Sequence, residues 1–98
     1  MPRPGAMIYL VSYDIPDNRR RLRLAHYLEE WGVRVQWSVF ECQVSSTNFR
    51  RLREGILELI ERAEDNVRIY PVCATCAGQI ERLGVEESVR LDEHGLYF

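Results

Sequence analysis

The chain has 98 residues, a formal net charge of −2 and 46% hydrophobic residues, which fits one compact domain and leaves no room for a separate catalytic domain. No apolar run reaches the length of about 18 residues that a transmembrane helix requires, and residues 1–6 lack the apolar centre of a signal peptide. We therefore expect a single cytoplasmic domain over 1–98 without a membrane span, with 1–6 as a flexible leader and the regular pattern beginning at Met7.

The charges are distributed unevenly along the chain. Residues 1–53 hold nine arginines and five acidic residues, whereas residues 54–98 hold four arginines and ten acidic residues. This asymmetry favours one basic and one acidic surface, and the basic one is a candidate for binding nucleic acid. Every basic residue is arginine, whose planar guanidinium binds phosphate in a bidentate manner. The lack of lysine by itself is better explained by a GC-rich genome or a thermophilic host.

The hydrophobic pattern predicts strands and helices in alternation. Residues 7–13 are almost continuously apolar, as in a central strand buried on both faces, and this strand ends at Asp14. A helix is predicted over 18–31, with cap residues at 16–18 and a stop at Gly32. Residues 33–44 alternate in two sets that are out of phase at Val39–Phe40. That phase slip predicts two short strands joined through a bulge or a tight reversal.

The second half of the chain continues the same alternation. A helix is predicted from a cap at 45–47 to about residue 62, followed by a strand over 67–73 and a loop or helical turn over 74–83. Residues 88–91 are expected to form a short strand in a C-terminal tail over 88–98. The order β-α-β-β-α-β with a trailing strand is that of the ferredoxin-like α+β fold. This fold hosts many functions, so it decides little about activity.

Asp14 is the candidate for metal-dependent chemistry, because it is a carboxylate at the exit of a buried strand. The alternative, which local sequence alone favours, is a turn residue that caps the next helix. One carboxylate is a poor site for Mg²⁺, which prefers octahedral oxygen coordination and keeps several waters. Two copies of Asp14 that meet at a two-fold axis would complete such a site, and a bound water could then attack a phosphodiester.

Arginines crowd the first turns of the first predicted helix, at positions 19–21 and 23, where the helix dipole disfavours cations. Arg20 and Arg21 flank the apolar stripe, so they are expected to face the Asp14 end of the sheet and to bind phosphate. The alternative, with equal weight, is a solvated face whose arginines pair with Asp17 or with acidic residues of the second half of the chain.

Four further residues are weaker candidates for contacts with nucleic acid. Arg34 could bind phosphate and Ser38 could offer a hydroxyl, although an edge-strand charge and a turn serine are the simpler explanations. Tyr13 and Phe40 could stack on a base, although packing in the core or at a dimer contact is the simpler role for both.

Cys73 and Cys76 have the C-x-x-C spacing of zinc knuckles and redox motifs. A tetrahedral zinc ion needs four ligands, whereas no second cysteine pair exists and both histidines are far away in sequence. Redox use would place the motif at the start of a helix beside a thioredoxin-like unit, which the pattern does not predict. The sequence therefore favours neither role.

Several segments together resemble the signature of the CRISPR-associated protein two family. They are Tyr13-Asp14-Ile15, Arg20-Arg21, the stretch GVRVQWSVFE at 32–41 and the stretch DNVRIYP at 65–71. The resemblance extends over about residues 7–73. It implies a ferredoxin-like homodimer in which the C-terminal strand adds to the partner's sheet.

The resemblance also implies an activity and its residues. It implies a Mg²⁺-dependent endonuclease, acting on single-stranded RNA in some members and on double-stranded DNA in others, and a CRISPR-associated integrase as partner in spacer acquisition. Asp14 then binds the metal, and the site is supported by five further residues: Arg20, Arg21, Arg34, Ser38 and Phe40. Two alternatives stay open: a non-catalytic dimeric scaffold that grips the backbone of spacer DNA, and a related ribonuclease toxin.

Overall fold

The computed structural model describes residues 6–81 and 83–84. Its elements are β1 (Ala6–Asp14), α1 (Asn18–Glu29), β2 (Gly32–Gln36), β3 (Val39–Ser45), α2 (Ser46–Leu59), β4 (Asn66–Val72) and α3 (Ala74–Ala77). The predicted C-terminal strand and tail lie outside the described residues, as do residues 1–5 of the predicted leader, whereas Ala6 already belongs to β1. Among the described helices, none has both the length and the apolar character needed to cross a membrane.

The four strands form one antiparallel sheet in the order β2-β3-β1-β4. β1 is an inner strand, which pairs with β3 along one side and with β4 along the other. The helix α1 connects β1 to β2, and α2 connects β3 to β4. This order and these connections confirm the ferredoxin-like arrangement predicted from the sequence.

The two long helices cover one face of the sheet. Successive side chains of a strand point to opposite faces, so Tyr9, Val11 and Tyr13 of β1 are buried on the helix side. Val11 and Tyr13 pack with apolar side chains of α1, β3 and α2, namely Leu24, Ala25, Leu28, Phe40, Cys42, Leu52 and Ile56.

The opposite face of the sheet, here called the open face, carries Ile8, Leu10, Ser12 and Asp14 of β1. Burial of β1 on both faces, as the apolar run predicted, is not found in the single chain, because Ile8 and Leu10 are only half-buried. The described residues of one chain therefore leave part of the apolar surface of β1 uncovered.

The phase slip at Val39–Phe40 is confirmed as a break between two strands. β2 ends at Gln36, residues 37–38 form a tight turn, and β3 begins at Val39. The register of β2 against β3 also shifts between Arg34 and Gln36, so the region contains both a reversal and a bulge.

The helix starts follow the predicted caps, whereas the helix ends come earlier than predicted. Asp17 caps α1 by accepting the backbone N–H of Arg20, and Ser45 caps α2 by accepting that of Asn48. α1 ends at Glu29, and Gly32 already opens β2, where a Cβ atom would overlap the carbonyl of Glu41. α2 ends at Leu59 because the backbone of the next residue is extended.

Gly55 allows α2 to approach Tyr27 of α1. A Cβ atom at position 55 would overlap the Tyr27 hydroxyl, which donates a hydrogen bond to the carbonyl of Arg51 or Leu52 at 3.2 Å. We expect Gly55→Ala to lower the free energy of unfolding by about 1–3 kcal/mol, because overpacking outweighs the better helix propensity of alanine. Urea denaturation measures this loss.

The matched control is Gly78→Ala. The nearest atoms to a Cβ at position 78 lie 3.6 and 3.7 Å away, so the free energy of unfolding should change by about 0.5 kcal/mol or less. Equal stability of the two variants would show that the helix contact at Gly55 is not tightly packed.

Candidate functional site

Asp14 is the last residue of β1 and lies exposed on the open face. Its carboxylate forms no hydrogen bond or ion pair with any of the described residues. The helix-capping role belongs to Asp17 instead, whose Oδ2 accepts the backbone N–H of Arg20 at 2.9 Å. That hydrogen bond lowers the pKa of the Asp17 carboxyl. Asp14 therefore does not cap α1, and its oxygens are available to a cation.

Polar side chains of β1 and β4 surround Asp14 on the open face. Asn66 pairs with Asp14, and Arg68 pairs with Ser12, the preceding residue on the same face. Across residues 6–81 and 83–84, no three His, Cys, Asp or Glu side chains form a cluster that could hold a metal ion. The described residues of one chain therefore supply a single carboxylate at this place, which fits Mg²⁺ only together with further oxygens, such as those of another molecule.

Asn66 and Arg68 were not predicted from the sequence to be neighbours of Asp14. Their proximity depends on the register between β1 and β4, which are separated by α1, β2, β3 and α2. The alternation of side chains identifies Ser12 as sharing the face of Asp14, but it does not identify the partner strand.

Arg20 pairs with acidic residues. Its Nε donates to Asp65 Oδ2 at 2.8 Å, and its Nη2 donates to Asp65 Oδ1 and to Glu64 Oε1, both at 3.0 Å. The Asp65 side chain is fully covered. Arg20 therefore pairs with acidic residues, which was the alternative to phosphate binding. It links the start of α1 to the loop before β4, and its guanidinium is not presented to a ligand.

The Arg20–Asp65 pair makes stability depend on pH. The hydrogen bond from Arg20 holds the pKa of Asp65 below its usual range, so the stabilisation is present above the unfolded value of about 3.9 and is lost as pH falls through the lower folded value. We expect Asp65→Asn to melt at a lower temperature than the unmodified protein near neutral pH. The difference should shrink as pH falls below about 4.

Thermal unfolding followed by circular dichroism over a pH series measures this difference. Glu64→Gln is the matched control, because the Glu64 side chain is 62% exposed and an exposed ion pair contributes little. If the difference in melting temperature between Asp65→Asn and the unmodified protein does not change with pH, the ionised Asp65 carboxylate is not the source of the stabilisation.

Arg21 is fixed at the junction of β1 and α1. Its Nη1 donates to the carbonyl of Ile15 at 2.8 Å, and its Nη2 donates to Asn18 Oδ1. Arg21 also lines a cavity of about 300 Å³ on the helix side of the sheet, together with Tyr13, Asn18, Leu22, Ala25, Arg34 and Trp37. Among the described residues, two guanidinium groups and no carboxylate line this cavity, which gives it a positive potential.

Arg34 is the buried cation of this cavity. It is 5% exposed, and its guanidinium carbon lies 5.5 Å from the ring centroid of Trp37 and 5.1 Å from that of Phe40, within the range of cation–π contacts. Its Nε has no hydrogen-bond partner among the residues that the structure describes. Arg34 does lie on an edge strand, β2, as the simpler explanation held. It pairs with Phe40 across β2 and β3, however, so its side chain points to the helix side and is buried there.

Phe40, Ser38 and Tyr13 support the end of β1. Phe40 is 0% exposed, so a base cannot stack on it, which corrects that expectation in favour of the core. The Ser38 carbonyl accepts the N–H of Tyr13 at 3.1 Å and fixes the β2–β3 turn to β1. Burial raises the pKa of the Tyr13 phenol, although the charges of Arg34 and Arg21 partly offset this effect.

The sequence placed the carboxylate and the arginines at one end of the sheet, and the structure does the same. Asp14 and the cationic cavity nevertheless lie on opposite faces, because Asp14 and Tyr13 are successive residues of one strand. The free carboxylate therefore lies on the open face, and the cations of the cavity lie behind it.

Comparison with known proteins identifies the family. The family model described as CRISPR associated protein Cas2 matches residues 7–80. The chain belongs to the Cas2 family. It is 47% identical over 81 residues to the CRISPR-associated endonuclease Cas2 2 of Thermus thermophilus, covering 83% of this chain and 86% of that protein. It is 48% identical over 79 residues to the CRISPR-associated endoribonuclease Cas2 1 of Chloroflexus aurantiacus, covering 80% and 85%.

A solved assembly also contains a similar chain. A chain in a partial Cas6-RT-Cas1–Cas2 complex superimposes with a TM-score of 0.67 and 28% identity, over 79% of this chain and 90% of the other. The segments that carry the resemblance to Cas2 meet at one end of β1 in this structure. Arg20 of one such segment binds Asp65 of another, and Tyr13 contacts Phe40 through stacked rings with centroids 6.4 Å apart.

Proposed function

We propose that this Cas2 protein acts in CRISPR spacer acquisition as a Mg²⁺-dependent endonuclease that hydrolyses phosphodiester bonds of single-stranded RNA or double-stranded DNA. The exposed carboxylate of Asp14, which has no partner among the described residues, is the observation that carries this proposal. The relatives named endonuclease and endoribonuclease support the type of reaction. The complex that contains Cas1 and Cas2 supports an integrase as partner.

A second copy of the chain completes the site in this proposal. The open face carries apolar side chains that the described residues leave partly uncovered, among them Ile8, Leu10 and Tyr70, the last being 46% exposed. Packing two open faces around a two-fold axis would bury these side chains and would bring the two Asp14 carboxylates toward each other. A bound Mg²⁺ ion would lower the pKa of a coordinated water and offset charge on the phosphodiester.

The chain's own residues then have distinct tasks. Asp14 holds the metal, and Arg68, which pairs with Ser12 on the same face, is placed to contact a phosphate. Phosphate contacts position a nucleic acid without reading its sequence, so cleavage should depend little on sequence. Arg20 and Phe40 contribute structure, through the pair with Asp65 and through the core.

The test is cleavage of labelled single-stranded RNA and double-stranded DNA by the purified protein, with Mg²⁺ or with a chelator, beside light scattering to determine the oligomeric state. The proposal expects a dimer at micromolar concentration and product only with Mg²⁺. Cleavage that persists in chelator would contradict the metal's role, and a monomer would contradict the shared site.

A second candidate function is a non-catalytic scaffold that grips spacer DNA beside the integrase. It is favoured by the exposed arginines of α1 and α2. Among the described arginines Arg20 is the one that forms a salt bridge, whereas four others are exposed without an acidic partner among the described residues: Arg23, Arg50, Arg51 and Arg53. Free guanidinium groups suit a phosphate backbone of any sequence. Bound DNA without metal-dependent product, in the same assay, would select the scaffold.

A further inference from the structure

The cysteine pair after β4 has a geometry that the sequence did not predict. Cys73 and Cys76 are both exposed and not bridged to each other, and the motif opens the short helix α3. Cys73 caps this helix, and its Sγ accepts the backbone N–H of Cys76 at 3.4 Å. The two thiols are therefore neighbours on one helical turn. Cys42 differs from both, because it is fully buried between the sheet and the helices.

The local hydrogen bonds divide the roles of the two thiols. The backbone N–H and the thiol of Cys76 both donate to Cys73, which lowers the pKa of Cys73 and raises that of Cys76. Burial raises the pKa of Cys42 to about 11. Because the thiolate is the nucleophile, Cys73 is the thiol that reacts first near neutral pH.

We propose that Cys73 and Cys76 form a thiol–disulfide exchange site that reacts with low-molecular-weight disulfides of the glutathione type. The Cys73 thiolate attacks one sulfur of the small disulfide, forms a mixed disulfide and releases one thiolate, which takes a proton from solvent. Cys76 loses its proton to solvent, attacks Cys73 Sγ and releases the second thiolate. The pair is oxidised by two electrons, and one small disulfide is reduced to two thiols.

A zinc site is the other use of this spacing, and the described residues favour exchange. Tetrahedral zinc takes four ligands, and no third His, Cys, Asp or Glu joins the pair within the described part of the chain. Two adjacent exposed thiols, one of them a hydrogen-bonded nucleophile, are sufficient for exchange without a further ligand.

The site is separate from the proposed nuclease site. Asn66 at the start of β4 pairs with Asp14, whereas Cys73 follows the last residue of β4, about 24 Å away along a strand that rises about 3.4 Å per residue. Exchange chemistry can therefore be measured independently of cleavage.

The experiment incubates the full chain near neutral pH in buffers of reduced and oxidised glutathione, followed by acid quenching, alkylation and intact mass spectrometry. The unmodified protein is expected to form one disulfide within a single chain, mapped to Cys73–Cys76. Cys42 is expected to carry no glutathione. Cys76→Ser is expected to stop at the mixed disulfide and gain one glutathione on Cys73. In each single variant one thiol of the pair remains, and the rate at which it takes up glutathione is compared. The rate for Cys76 in Cys73→Ser should be about tenfold lower than the rate for Cys73 in Cys76→Ser.

Three results would overturn the proposal. The first is reaction of Cys73→Ser as fast as that of Cys76→Ser. The second is an unmodified protein that forms disulfides only between two chains and whose mixed disulfide with glutathione never converts to the Cys73–Cys76 disulfide. The third is purification with bound zinc that blocks oxidation until it is chelated, which would assign the pair to a metal.

Discussion

Replacing Asp14 by asparagine is expected to reduce Mg²⁺-dependent cleavage by about 100-fold or more. The substitution removes the carboxylate from both copies of the proposed site, and loss of a catalytic metal forfeits several kcal/mol of transition-state stabilisation, at about 1.4 kcal/mol for each factor of ten. Because Asp14 is exposed and has no partner among the described residues, the melting temperature should stay nearly unchanged. Initial cleavage rates with Mg²⁺ and thermal unfolding measure the two effects.

Asp17→Asn is the matched control for this substitution. It removes a carboxylate three positions away, and asparagine caps a helix about as well as aspartate, so both stability and cleavage should be retained. Equal loss of cleavage in the two variants would point to a general effect of charge. Full activity of Asp14→Asn would exclude Asp14 as the metal ligand.

Replacing Arg34 by methionine is expected to raise stability and weaken binding. The guanidinium is buried, its Nε has no partner and it forms no salt bridge with the described residues. Burying this unpaired charge destabilises the folded state by more free energy than the cation–π contacts with Trp37 and Phe40 contribute to its stability. Methionine keeps the apolar stem, so we expect the free energy of unfolding to rise by about 1 kcal/mol.

The affinity for nucleic acid should fall by about tenfold in the same variant, because the cavity beside Arg21 loses half of its positive charge and one charge-assisted contact. Urea denaturation and fluorescence anisotropy with labelled single-stranded RNA measure the two quantities. Arg23→Met, at an exposed position of α1, should leave stability within about 0.5 kcal/mol. A destabilised Arg34→Met that binds normally would show that Arg34 is a structural residue.

Features that depend on local pattern were predictable from the sequence. The period of the apolar residues located β1, α1 and α2, and the phase slip at Val39 located the break between β2 and β3. The cap residues Asp17 and Ser45 fixed the helix starts to within one residue. Helix ends were less predictable, because the start of β2 at Gly32 and the extended backbone at Ile60 decide them.

Features that depend on contacts between distant segments were not predictable. Arg20 and Arg21 are adjacent and identical in type, yet one binds Asp65 and the other binds the carbonyl of Ile15. No local signal separates them, because Asp65 lies 45 residues further along the chain. The burial of Arg34 depends in the same way on the register between β2 and β3. The faces of β1 likewise separate Asp14 from the cavity arginines, whose sequence positions suggested one common site.

The most direct test of the shared metal site uses a mixed dimer. Unmodified chains and Asp14→Asn chains with different affinity tags are co-expressed, and the dimer that carries both tags is purified in two steps. If the two Asp14 carboxylates hold one Mg²⁺ ion, the mixed dimer should cleave as poorly as the dimer with both chains substituted. A mixed dimer with half the activity of the unmodified protein would contradict this account, because each chain would then carry a complete site of its own.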